Sequence, residues 1–151
     1  MIIGRMTIPT QHIVILDKGA RDGVVLDGVL LDMDGLLGRV LEVYPTTSLA
    51  ILLTDPDSRI ACLLERSREM GLLVGTGGSL CQFIYLDLEA DVVERDRIVT
   101  AGLSGPFPKG ILVGTVVKIV RDERSVQAFA WVRPAAQLNR LEEVLCLPPS
   151  S

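Results

Sequence analysis

The sequence predicts an all-β fold: two small six-stranded-type β-barrel domains in tandem, with at most one short helical turn near residues 134–140. Three observations predict it. Apolar runs of four to eight residues recur along the chain, bounded by Gly, Pro, Asp or Ser, which is the rhythm of short strands and turns. Hydrophobic residues make up 48% of the 151 residues but aromatics only 4%, so the core must be built from Val, Leu and Ile, whose β-branched members suit a pleated surface. Finally, one phrase occurs twice. Gly28-Val29-Leu30-Leu31 followed by Gly35-Leu36-Leu37-Gly38-Arg39-Val40 is echoed by Arg97-Ile98-Val99 followed by Gly110-Ile111-Leu112-Val113-Gly114-Thr115-Val116.

The echo is displaced by 68 residues upstream, where Val24–Gly28 aligns with Val92–Asp96, and by 76 residues at Gly38 and Gly114. The second copy therefore carries an eight-residue insertion within Ala101–Lys109, a turn-rich stretch where extra length costs little closure entropy.

Strands are expected near His12–Asp17, Val29–Met33, Leu36–Tyr44, Ala50–Thr54, Arg59–Glu65, Leu72–Val74, Leu80–Leu86, Arg97–Thr100, Ile111–Val120, Gln127–Val132 and Val144–Leu147. The turn residues agree. Asp34-Gly35 is a two-residue hairpin signal, Gly35 supplying positive φ; Gly75–Ser79 makes a looser hairpin, and Asp55-Pro56-Asp57-Ser58 a proline-fixed turn. Pro134–Arg140 has helical character, with Pro at a plausible first position. The repeat places a first unit at residues 1–69 and a second at 70–147, whose last strand could complete either barrel. Residues 148–151 read as a frayed tail.

Among the glycines, Gly38 and Gly114 are expected to allow close strand approach, and Gly102, Pro108 and Gly110 to shape the insertion loop. Leu103, Phe107 and Pro108 on that loop are candidate partner contacts. The other reading of Phe107 is a lid folded back over its own barrel.

A net charge of -4 without any run of Lys or Arg argues against a nucleic-acid partner. No apolar run approaches the ~20 residues that span a bilayer, and Met1–Arg5 does not read as a signal peptide. These points suggest a soluble piece of a longer protein. Cys62, Cys81 and Cys146 are widely spaced in apolar surroundings without a Cys-x-x-Cys pair, so no metal site or cofactor is expected. The acidic groups Asp27/Asp32/Asp34, Asp55/Asp57 and Asp87/Glu89/Asp91/Glu94 fall at turns and strand edges, where charge keeps the backbone solvated. Trp131 is either a core anchor or an interface aromatic.

Gly102-Leu103-Ser104-Gly105-Pro106 resembles the nucleophile loop of trypsin-like proteases, which are themselves two-barrel proteins. A serine nucleophile needs an imidazole base and an acid to orient it, and His12 is the single histidine. His12 opens a strand, Leu103 stands where an acidic residue normally precedes the serine, and Pro106-Phe107-Pro108 replaces the expected glycines. A hydrolase using Ser104 and His12 is thus the alternative reading, with Ser104 as a turn residue the preferred one. Carbohydrate binding would want exposed aromatic platforms, which one Trp and two Tyr scarcely offer.

A resemblance covers nearly the whole chain. Asp17–Val24, Gly35–Val40, Leu53-Thr54-Asp55 and Ser58-Arg59-Ile60, then Arg95–Leu103, Phe107–Ile111, Val113–Val116 and Pro134–Leu145, are together similar, in the same order, to the extracytoplasmic region of the MreC family of rod shape-determining proteins. Departures are mild: Arg97 follows Asp96 where a small or apolar residue is common, and Ala101 stands where serine is frequent.

The resemblance implies the periplasmic part of a protein anchored in the inner membrane, its anchor and coiled coil lying outside this chain. It implies a non-enzymatic scaffold of the cell-elongation complex. Its implied partners are further copies of itself, as dimer or filament, a class B penicillin-binding transpeptidase that it positions and activates, and MreB, MreD and RodA.

Overall fold

The chain is described here from a computed structural model, covering residues 2–6, 12–85, 89–103, 105–121, 128–138 and 144–149. Its strands are β1 (Ile2–Met6), β2 (Ile13–Leu16), β3 (Val29–Leu31), β4 (Leu36–Val43), β5 (Ser48–Leu52), β6 (Arg59–Leu64), β7 (Met70–Gly75), β8 (Cys81–Tyr85), β9 (Arg97–Thr100), β10 (Leu112–Arg121), β11 (Ala128–Pro134) and β12 (Leu145–Leu147). All-β is the observed class, and of the two barrels expected one is closed among the described residues. β6 to β11 close into a barrel in the order β10-β11-β8-β7-β6-β9, while the other six strands form a sheet in the order β1-β2-β5-β4-β3-β12.

The sheets do not divide at Glu69, where the sequence places its unit boundary. β6 pairs with β7 from Arg59↔Val74 to Leu63↔Met70 and with β9 through Cys62, Leu63 and Leu64. A tight turn fixes this: Leu64 N–H donates to the Glu69 carbonyl at 2.9 Å, and Arg68 takes a positive φ of 66°. β12 in turn leaves the second half of the chain to pair with β3.

Two expected local structures differ from the observed ones. No helical turn forms across 134–138: Pro134 ends β11, and Asn139 and Arg140 lie outside the described residues. The short helix is instead a 3-10 turn at Ala20–Asp22, where the Asp22 carboxylate accepts the Gly19 N–H at 3.1 Å and Gly23 adopts a φ of 86°. At the β3–β4 hairpin Gly35 takes no positive φ. The Asp32 side chain shapes that turn, its Oδ1 accepting the N–H groups of Asp34 at 2.7 Å and Gly35 at 3.0 Å. What Gly35 supplies is proximity, since a Cβ there would stand 2.7 Å from the Leu112 carbonyl oxygen of β10.

Packing inside the barrel is complementary across strands. On β11 the buried positions are Ala128, Ala130 and Val132, and Ala128 and Ala130 lie opposite Tyr85 and Phe83 of β8. Small residues thus make room for large ones, as narrow barrels require. Full burial of Phe83 contributes roughly 2–3 kcal/mol. The outward positions Phe129 and Trp131 are half-buried and meet edge to face, centroids 5.7 Å apart. Val14, Leu30, Leu37, Val40, Ala50 and Leu52 form the first sheet's own core, whereas Val29 and Leu36 join the barrel's. The β3–β4 hairpin therefore ties sheet and barrel together.

Candidate functional site

The insertion loop, the segment between the two sheets and the ion cluster beside β6 are where the chain places polar or exposed chemistry. In the loop, Gly102 and Gly110 both take positive φ, 70° and 90°. The buried Thr100 hydroxyl donates to the Pro108 carbonyl at 2.5 Å and accepts the Ile111 N–H at 2.9 Å, fixing the returning limb. Phe107 does not point outward: it is 7% exposed and belongs to the barrel core. A benzyl group gains more from packing in that core than from water, so Phe107 is turned toward its own barrel. Leu103, 67% exposed, carries the loop's outward apolar surface. Ser104 lies outside the described residues.

Gly38 and Gly114 occupy matching places. A Cβ at Gly38 would fall 1.9 Å from the Ile51 carbonyl oxygen, and one at Gly114 2.4 Å from that of Arg133, well inside contact distance.

Between β5 and β6 the chain crosses from sheet to barrel with Thr54, Asp55 and Ser58 buried, a feature the sequence reading did not find. Asp55, expected at a solvated turn, is 1% exposed. Its carboxylate accepts the backbone N–H of His12 at 2.7 Å and of Asp57 at 2.8 Å. Nδ1 of His12 sits 2.5 Å from the Thr54 hydroxyl. An open cleft of about 810 Å³ adjoins these groups, with Ser79, Arg133, Gln137 and Leu138 among the residues facing them. The imidazole is thus engaged by a threonine, and the neighbouring carboxylate holds main-chain amides rather than an imidazole N–H. That is strand anchoring, not the base–orienter pair of a serine hydrolase.

Arg66 forms the sharpest ion cluster. Its guanidinium donates to Asp96 through Nε at 2.7 Å and Nη2 at 2.9 Å, and to both Asp91 oxygens at 2.7 and 3.0 Å. Burial alone would raise the Asp96 pKa; the Arg66 hydrogen bonds and the Val93 N–H outweigh it and hold the carboxyl below its usual range. The Arg66 hydrogen bonds likewise lower Asp91. Asp91 keeps the solvated position expected of it, its side chain 61% exposed, while this cluster ties it to the turn after β6; the buried Asp96 accepts the Val93 N–H at 2.9 Å. The three groups are 25 and 30 residues apart in sequence, so no local pattern signals them.

All three cysteines are free thiols. Burial pushes Cys62 up to about 12, with nearby Cys81 adding to it, and burial does the same to Cys81; neither is a nucleophile at neutral pH. No group of His, Cys, Asp and Glu suited to a metal ion occurs among the described residues, nor is any helix among them long and apolar enough to cross a membrane.

Fold and site together define a two-sheet β module whose buried polar groups join strands and crossing segments. The chain belongs to the MreC family: residues 2–148 match the family described as "Rod shape-determining protein MreC, barrel core". Cell shape-determining protein MreC of Cereibacter sphaeroides is 39% identical over 134 residues, covering 89% of this chain and 43% of that protein. Its counterpart in Haemophilus influenzae is 31% identical, covering 91% and 40%. The chain therefore spans about two fifths of the length of these curated relatives. Among solved structures, that of MreC from Pseudomonas aeruginosa superposes with a TM-score of 0.93 at 35% identity, over 97% of this chain and 95% of that one. MreC in a complex with penicillin-binding protein PBP2 from Helicobacter pylori shares the fold, with a TM-score of 0.68 at 16% identity over 91% of this chain and 86% of that one.

Proposed function

We propose that this chain is the periplasmic β module of a cell-shape scaffold that binds and positions a peptidoglycan-synthesising transpeptidase of class B penicillin-binding type. The observation that carries this reading is its kinship to MreC over the whole module, a relative of the same fold being found in complex with PBP2. The module acts without catalysis of its own. His12, Thr54, Asp55, Arg66 and Asp96 are engaged in holding strands, and the buried thiols are inert.

In this reading the module works outside an inner-membrane anchor. It joins further copies of itself in a dimer or filament, transmits activation to the transpeptidase, and belongs to an assembly with MreB, MreD and RodA. The boundaries of its two units, 1–69 and 70–147, are those of the repeat. Gly35, Gly38, Gly102, Pro108, Gly110 and Gly114 shape the sheet, the barrel and the loop, while Leu103 offers a contact to a partner.

Biolayer interferometry of the immobilised chain against the cognate transpeptidase ectodomain tests the proposal. Saturable binding is expected, weakened by Leu103→Ser. Absence of binding, with a strictly monomeric state at high protein concentration, would overturn it.

A further inference from the structure

We infer that the two repeats of this chain exchange their sixth strands, each giving the other the strand that follows its own fifth. The inference concerns the architecture and stands whether or not the transpeptidase is the partner.

The five strands β1–β5 and β7–β11 are the same unit, down to irregularities that no general β fold requires. Asp27 and Arg95, 68 residues apart, both take positive φ, 63° and 74°. Their N–H groups donate to Val40 and Val116, 76 apart, at 3.0 and 2.8 Å; Val40 and Val116 in return donate to Gly28 and Asp96, at 2.8 and 2.9 Å. The ladder between β4 and β5 slips between Val40 and Glu42, and that between β10 and β11 slips between Val116 and Lys118. Both pairs of slipped residues are again 76 apart. A second slip recurs between Leu36 and Gly38 against β3, and between Leu112 and Gly114 against β9. Such bulges are placed features of a strand, not accidents.

The correspondence continues past the fifth strand. Gly38↔Leu52 in the first unit matches Gly114↔Pro134 in the second, a displacement of 82 for the fifth strands. The same 82 carries Leu53, whose N–H donates to Leu37, onto Ala135, whose N–H donates to Val113, both at 2.9 Å. It also carries Leu63, opposite Val99 on β9, onto Leu145, opposite Leu31 on β3. β6 and β12 are thus equivalent strands in equivalent registers. Each lies in the sheet of the other repeat, since β6 completes β7–β11 and β12 extends β1–β5.

The exchange makes sheet and barrel one interlocked body, and it is unequal. β6 is held by β7 on one flank and β9 on the other; β12 is three residues long and its described pairing is with β3. Withdrawing β12 would strip an end strand from the first sheet and leave the barrel closed.

Both exchanged strands carry a native cysteine for the test: Cys146 lies opposite Leu30, and Cys62 opposite Thr100. Directly opposed strand residues fall within the Cα separation a disulfide needs. A protease site is placed between Glu69 and Met70 of the full chain, which is folded, cleaved and oxidised as Leu30→Cys and, separately, as Thr100→Cys. Exchange predicts that in each variant the two fragments run as one covalent species on a non-reducing denaturing gel and separate on reduction. It also predicts that the cleaved parent chain, without either substitution, elutes as one particle under native conditions and as two in denaturant. Separate fragments in either folded variant, or native dissociation of the cleaved parent, would overturn reciprocal exchange. Should one variant fail to fold, the other and the cleaved parent decide.

Discussion

The first sheet and the barrel start from the same five-strand unit and end differently. In the barrel, β6 bridges β7 and β9 and the sheet has no edge. In the first sheet the equivalent strand β12 pairs with β3 at the far end of the order from β1. The barrel also carries the loop of eight extra residues, whose Phe107 packs into its core, and the Arg66 cluster, which pins the segment before β9 to the turn after β6. Among the described residues, one strand plan thus yields a closed barrel or a sheet ending in β1 and β12, according to what its sixth strand meets, and edges are where other strands can add.

The largest effects should come from filling the close approach shared by both units. Gly38→Val and Gly114→Val each place atoms against a backbone carbonyl that cannot move without unzipping a ladder, so each is expected to cost about 3 kcal/mol or more in urea unfolding. Gly38→Val should be the more severe, because its clash is the closer. If either variant kept parental stability, the equivalence of the two approaches would fail.

Removing the Phe107 ring from the barrel core comes next. Phe107→Ala is expected to cost roughly 3 kcal/mol by the loss of a buried aromatic, read from the urea midpoint. An unchanged midpoint would mean that Phe107 is not part of the core.

The acidic cluster gives a smaller, pH-dependent effect. Asp96 has a folded-state pKa below its unfolded value of about 3.9, so its stabilisation is complete above that pH and is lost as pH falls through the lower folded-state value. Asp96→Asn should therefore be less stable at neutral pH and lose less stability on acidification below about pH 4 than the parent. A parallel acid profile in the two proteins would remove the cluster from the account.

Smallest is Leu103→Ser. It should leave stability within about 0.5 kcal/mol, as surface changes usually do, while weakening partner binding. A large loss of stability would place Leu103 in the fold rather than at a contact.

Much of this was legible in the residues because it is local. The runs around Val29, Leu36 and Val113 mark their strands, and the doubled phrase marks the repeat with its offsets of 68 and 76. What escaped is non-local. A three-residue run such as Leu145-Cys146-Leu147 says that a strand exists and nothing about whose edge it joins. Asp34-Gly35 signalled the hairpin correctly, but the Asp32 carboxylate, not a positive φ, shapes it. Asp55 looked like a solvated turn charge, because the group that holds it, the His12 amide, arrives from distant sequence; Asp91 is solvated as expected, but its Arg66 partner is just as distant. Phe107 in a loop of Gly and Pro looked equally suited to inside or outside; only the barrel core decides it.

The central claim is that the repeats form one interlocked body, and native-state hydrogen exchange along a urea series tests it most directly, with Trp131 fluorescence reporting the barrel. Core amides of the first sheet, Val40 and Leu52 among them, should open with the same free energy and urea dependence as the barrel that carries Trp131. First-sheet amides that exchange freely while Trp131 fluorescence remains native would contradict the claim.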